Sequence, residues 1–194
     1  MPSNSEVMRR DARDDRCRST SLRRRTLLAT AVSSVGTAIA GCSGFGGSDT
    51  PEEPFGTLDR ETLYVDERVA LSVPDAVSTA TDPADAGLVV LPGDTDHSPT
   101  QSAEWIADGS SVALLGEGCG ETWNSWVMTG AYATNFDVMG AEWGQPGADL
   151  VVGAAVGLNL VTYGESWEAT PSDREVLREL DSIATDIEER TGGD

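Results

Sequence analysis

His97 and Cys119 are the residues best suited to do chemistry in this chain. His97 is the single histidine, and Cys119 sits in the run Gly116-Glu117-Gly118-Cys119-Gly120-Glu121. A thiol becomes a nucleophile when a basic or cationic neighbour lowers its pKa, which an imidazole would do. Glu117 and Glu121 act in the opposite sense, and a lone cysteine serves equally as a small buried hydrophobe. Both roles therefore stay open for Cys119. Asp94, Asp96, His97, Glu117 and Glu121 together offer oxygen donors of the kind that calcium or magnesium takes, without the spacing of an EF-hand. No cofactor is expected, and a divalent cation at these five residues is the one candidate. The glycines of 116–120 lack both the full dinucleotide spacing and the Lys of a phosphate-binding loop.

The elements around these residues place them at one edge of a sheet. Gly87 to Leu91 is a continuous apolar run, the pattern of a strand covered on both faces. Ser98, Pro99 and Gln101 then mark a capped helix start, Asp108-Gly109 ends that helix, and Ser111 to Leu115 is a second buried strand. Strand, helix and strand in so short a span form a βαβ unit with parallel strands. The turns at 93–97 and 116–121 then lie beyond the carboxyl ends of the strands, where open α/β sheets bind ligands. Elsewhere the patterning predicts strands at 63–65 and 69–73, a short helix over 122–128, a loop over 131–147, and two late strands or a hairpin at 150–156 and 158–163. A long helix follows, opened by Ser172 and Glu175 and carrying one apolar face. Trp123 and Trp126 fit core packing or an exposed ring platform.

The stretch LVVLPGDTDHSPTQSAEWIADGSSVALLGEGCGETW, residues 88–123, resembles the class I glutamine amidotransferase-like superfold, especially its non-amidotransferase members. That resemblance implies a cysteine at a glycine-flanked strand-to-helix elbow, the place Cys119 occupies. It also implies a His and a Glu from a late turn, and no His follows position 97. The resemblance therefore carries a fold and not a catalytic set. The expected fold class is α/β: a single three-layer domain with a mostly parallel sheet, Rossmann- or flavodoxin-like, preceded by a disordered or helical signal segment.

That preceding segment reads as an address. Residues 1–25 hold eight Arg against four acids, and 26–40 are modestly apolar. As a helix that run reaches only about 22 Å, against a hydrocarbon core of about 30 Å. Basic region, short apolar region and then a processing site is signal-peptide order. Arg24-Arg25-Thr26-Leu27-Leu28 resembles a twin-arginine export signal, and Ile39-Ala40-Gly41-Cys42 resembles a lipobox whose cysteine is cleaved to the N-terminus and lipidated. The expected organisation is a signal peptide over 1–41, a Gly, Ser and acid-rich tether over 42–56, and an α/β domain over 57–192. Of the three cysteines, Cys17 leaves with the leader and Cys42 takes the lipid, so Cys119 has no disulfide partner.

From residue 42 on the chain has five Arg, no Lys and 29 acids, a net charge of −24. Such self-repulsion is tolerable in molar salt, where the Debye length is about 3 Å. A Lys-free acidic surface is similar to that of salt-adapted haloarchaeal proteins. Nucleic acid is not an expected partner, because phosphate contacts need Lys and Arg. The expectation is a protein held to the extracellular face of the cell membrane by lipid on Cys42. Its domain binds a small molecule or protein, of unknown identity, without catalysis. The alternatives are a divergent hydrolase that uses Cys119 with His97 or a cation, and a structural part of the cell envelope.

Overall fold

The computed structural model describes residues 54–137 and 146–192. The export, lipidation and most of the tether readings fall outside them, as do Met139 and Trp143. The described chain runs β1 (Thr62–Val65), β2 (Ser78–Thr79), a short 3-10 turn (Pro83–Asp85), β3 (Leu88–Pro92), α1 (Pro99–Ala107), β4 (Ser111–Leu115), α2 (Cys119–Val127), α3 (Gly130–Asn135), β5 (Leu150–Val156), β6 (Asn159–Glu165) and α4 (Asp173–Thr191). The six strands form one sheet in the order β2-β1-β3-β4-β5-β6. Neighbours from β2 to β4 are parallel, and β5 and β6 are antiparallel to what precedes them. The domain is α/β, and its sheet is mixed.

Side-chain alternation explains why these strands read as unbroken apolar runs. Val89, Leu91, Val112, Leu114 and Val151 point to one face, where Ala103 and Ile106 of α1, Trp123, Trp126 and Val127 of α2 and Tyr132 of α3 cover them. Leu88, Val90, Ala113, Leu150 and Val152 point to the other, against Val176, Leu177, Leu180 and Ile183 of α4. With period-2 geometry, a strand covered on both faces has no polar position to spare. Leu177 and Leu180 are 1 % exposed, and burying each stabilises the fold by about 1.5–3 kcal/mol.

The helix ends follow their sequence signals. Ser98 accepts from the Gln101 N–H while the Gln101 side chain accepts from Ser98 N–H, and Ser172 and Glu175 repeat that box at α4. Gly109, with φ of 103°, takes the chain out of α1 in the left-handed region that glycine tolerates. Asp181 of α4 fastens the entering segment, its carboxylate accepting the N–H groups of Gly56, Thr57 and Leu58 at 2.8–3.0 Å.

Three segments depart from the sequence reading. Residues 69–73 pair with no strand. Val69, Leu71 and Val73 pack against the α4 side of the core, and Ser72 N–H is held by the Asp173 carboxylate at 3.1 Å. Alternation signals extended chain lying on an apolar surface, and the ladder is a separate matter. The second helix starts at Cys119, three residues before the expected 122, so Cys119 is a helical residue. A third helix, α3, occupies the start of the expected loop. It is anchored by a buried hydrogen bond of 2.7 Å between Tyr132 and Ser102 of α1. Past α3 the chain lies beside the β5–β6 turn, where Asp137 N–H donates to Leu158 C=O at 2.7 Å, whereas β5 begins at the opposite end of the sheet, where Gly116 N–H donates to Asp149 C=O. The β5–β6 turn then needs only Gly157, at φ of 62°, and Leu158.

Gly153 of β5 lies directly under the six-membered ring of Trp123, and a Cβ there would overlap the ring atoms. Gly153→Ala is expected to destabilise the fold by about 1–3 kcal/mol through overpacking. Gly130→Ala, with open space around the new methyl, should change stability by less than about 1 kcal/mol. Chemical unfolding of both variants in molar salt compares them directly.

Candidate functional site

Neighbouring parallel strands bring the turns after β3 and β4 together. Gly93 N–H donates to Leu115 C=O at 2.8 Å, and Thr122 Oγ1 of α2 donates to Gly93 C=O at 2.6 Å. A Cβ on Gly93 would meet the carbonyl oxygens of Gly116 and Glu117 and the Cys119 N–H, all of them backbone. Gly116 and Gly118 both have positive φ, 94° and 82°, which sends the chain sharply from strand into helix. The last left-handed residue of this elbow is Gly118. Cys119 is the next residue, already helical and facing inward.

That placement governs its chemistry. Cys119 is fully buried, and its thiol donates to the Ala148 carbonyl at 2.9 Å. Burial pushes the thiol up to about 11 from an ordinary value near 9, the Asp149 and Glu121 charges add to the rise, and the Gly120 amide opposes it. A thiol held protonated and out of solvent is neither a nucleophile nor a metal ligand as it stands.

His97 faces elsewhere. Its Nε2 lies 3.7 Å from Asp66 Oδ2, and its ring meets the Trp105 edge with centroids 5.3 Å apart. Asp66, at the carboxyl end of β1, also accepts the Arg68 N–H at 2.9 Å, and Arg68 reaches on to Asp96 at 3.7 Å. His97 and Asp96 thus join a surface network with Asp66 and Arg68, while Asp94 and Glu117 line a separate hollow of about 490 Å³ with Pro92, Gly93, Leu115 and Gly118. Glu121 stands exposed on the first turn of α2. The five oxygen and nitrogen donors at 94, 96, 97, 117 and 121 do not converge. Among the described residues no group of three or more His, Cys, Asp or Glu is placed to hold a metal ion.

A second hollow of about 520 Å³ opens on the far side of Leu115. Its walls come from Ala70 and Leu71, from Leu115 and Gly116, from Asp149, and from the β6–α4 connection with Trp167 and Asp173. The two hollows share Leu115, so both open at the carboxyl end of β4, where the sheet changes from parallel to antiparallel. The sequence reading missed Asp66, Asp149 and Trp167. Asp66 and Asp149 were legible as polar residues bordering apolar strands, the position Asp94 holds after β3. Trp167 carried no such signal.

No protein-family model, curated protein or solved structure matches this chain.

The thiol leaves a mark on stability. In the unfolded chain it ionises near pH 9, whereas in the folded chain it stays neutral until about pH 11. The folded state therefore binds the extra proton between those values. Its stabilising effect is complete below pH 9 and is lost as pH rises toward 11. Cys119→Ala should unfold with a flatter pH dependence than the parent across pH 9–11 and a similar one below pH 8. Denaturant midpoints of the two chains at matched pH measure the difference.

Proposed function

We propose that this chain is a lipid-anchored, salt-adapted cell-surface protein whose domain binds a ligand or protein partner at the carboxyl edge of its sheet and does no chemistry on it. The observation that carries this reading is the orientation of Cys119. The one thiol near the edge is turned into the core and bonded to Ala148, while the surface above it consists of two hollows meeting at Leu115. A cysteine hydrolase would need that thiol exposed and next to a base, and His97 is engaged with Asp66 and Trp105 instead. The finer fold reading, a three-layer amidotransferase-like domain, is supported by the two apolar clusters on opposite faces of the sheet and by the glycine elbow after β4. Export by the twin-arginine route and lipidation at Cys42 rest on the motifs at 24–28 and 39–42. The strong acidity supports a briny working solvent.

Titration with a thiol reagent in molar salt tests the non-catalytic reading. Cys119 in the folded chain should remain unmodified and react with one equivalent on unfolding. Stoichiometric reaction of Cys119 in the folded domain would sink it. The anchor is tested in cells: Cys42→Ser should move the protein from the membrane fraction to the soluble or secreted fraction, and retention at the membrane would remove the lipobox. Two acyl chains, at about 0.8 kcal/mol per buried methylene, hold a protein stably, so the shift should be close to complete.

A further inference from the structure

Trp167 forms one wall of the hollow of about 520 Å³ at the end of β4. Leu71, Leu115 and Val176 supply an apolar lining, Asp149, Glu168 and Asp173 supply carboxylates, and among the described residues no basic side chain lines it. Its size suits a small organic ligand, since such sites run from about 300 to 1,000 Å³. The wall is also built. The backbone N–H of Trp167 donates to Asp149 Oδ2 at 2.9 Å, which fixes the main chain of residue 167 at that carboxylate, and Asp149 is held through both its N–H and its C=O to Glu165 and Gly116. Across the hollow, Asp173 is fixed by the N–H of Ser72.

We propose that this hollow takes an organic cation, an alkylated or quaternary ammonium head group, with its methyl groups against Trp167 and the apolar lining and its charge facing Asp149 and Asp173. The proposal rests on the carboxyl edge being a binding site, and it adds the class of ligand. Three charge arguments converge on it. Among the described residues an anion would meet three carboxylates and no base. A calcium or magnesium ion wants six or more oxygens. Here an indole and three aliphatic side chains occupy much of the wall, and Asp149 and Asp173 each already hold a backbone N–H. An ammonium group carrying methyls matches both halves of the lining, because its charge is diffuse, its hydration is weak and an indole face attracts it.

Salt strengthens the choice. At a Debye length of about 3 Å the acidic surface as a whole draws no cation from a distance, and only contact interactions persist. A hydrated sodium ion gains nothing from Trp167, whereas a methylated ammonium buries apolar surface on it. The amino terminus of α4 lies at the same hollow and its dipole disfavours a cation, but Asp173 and Glu175 in its first turn offset that.

Calorimetric titration of the full chain in molar sodium chloride tests this with two probes of one shape, choline and its neutral carbon analogue 3,3-dimethylbutan-1-ol. Choline should bind saturably, and the alcohol should bind about tenfold more weakly. Asp149→Asn and Asp173→Asn keep an oxygen for the Trp167 and Ser72 N–H groups while removing the charge. Each should weaken choline several-fold and leave the alcohol unchanged. Glu168→Gln, at an exposed residue, gives a third neutralisation that does not depend on either variant folding, and it should weaken choline more than the alcohol. Trp167→Leu should abolish choline binding. Equal binding of the two probes, or indifference of choline to the neutralised carboxylates, overturns the cation class while keeping the hollow as a ligand site. Absence of choline binding overturns the proposal outright. The non-catalytic reading fails by a different readout, reaction of Cys119 in the folded domain, so the two failures are distinguishable.

Discussion

The seat of Gly93 on the turn at 116–119 is the constraint on which the carboxyl edge of this domain depends. Backbone meets backbone there, with the Gly93 N–H on Leu115 and the Thr122 hydroxyl on Gly93 C=O. No side chain at position 93 fits between them. The approach is close enough to force the β4–α2 connection into two positive-φ residues, and glycine supplies both at little cost. The consequence reaches the chemistry. Because the sharp position is Gly118, the helix has begun by residue 119, and the thiol is rotated toward Ala148 and the core. An elbow that in another arrangement would present a nucleophile here presents a glycine.

The sequence made the central βαβ unit legible because three independent signals agree there: continuous apolar runs at 88–91 and 112–114, a capping box at 98–101, and a glycine stop at 109. The same agreement marks α4. What stayed hidden has a common cause, namely that it is decided by contacts distant in the chain. The run Val69 to Val73 alternates like a strand, yet it finds the flank of α4 rather than a ladder. The segment Gly130–Asn135 has too few apolar residues to show a helical stripe, and it is Tyr132, reaching Ser102 across the core, that makes a helix worth forming there. Among the site residues, His97 and Cys119 were visible as chemical types, but the turns that aim them were not. Their partners, Asp66 and Ala148, come from other strands and connections.

Charge in this chain is handled at contact distance. With five Arg from residue 42 on there are too few cations to pair the 29 acids there. Exposed pairs such as Arg60 with Glu188 and Arg190 with Asp186 are of the class that contributes at most about 1 kcal/mol and is screened by salt. The carboxylates that organise the fold use backbone N–H groups instead. Asp181 takes three at the entry to the domain, Glu175 caps α4, Asp66 closes the turn after β1, and Asp149 and Asp173 each hold a connection in place. A hydrogen bond to an ionised acceptor is short-ranged, so it keeps its value at ionic strengths that screen longer-range attraction.

This division has a cost at the carboxyl edge. A backbone amide satisfies a carboxylate oxygen as an acceptor, but it delivers a dipole and no countercharge. Asp66 acquires Arg68 as well, and Asp181 sits where the entering chain brings several amides together. Asp149 and Asp173 border a hollow that no base lines among the described residues, beside an indole that is itself attractive to positive charge. The positions of these two groups are set by structural duties, orienting Trp167 and the segment before Pro74, and their remaining charge is directed into a space shaped by apolar side chains. Fold and site are therefore not separable at this edge. The bonds that hold the connections together also leave a small, partly apolar cavity bordered by carboxylates.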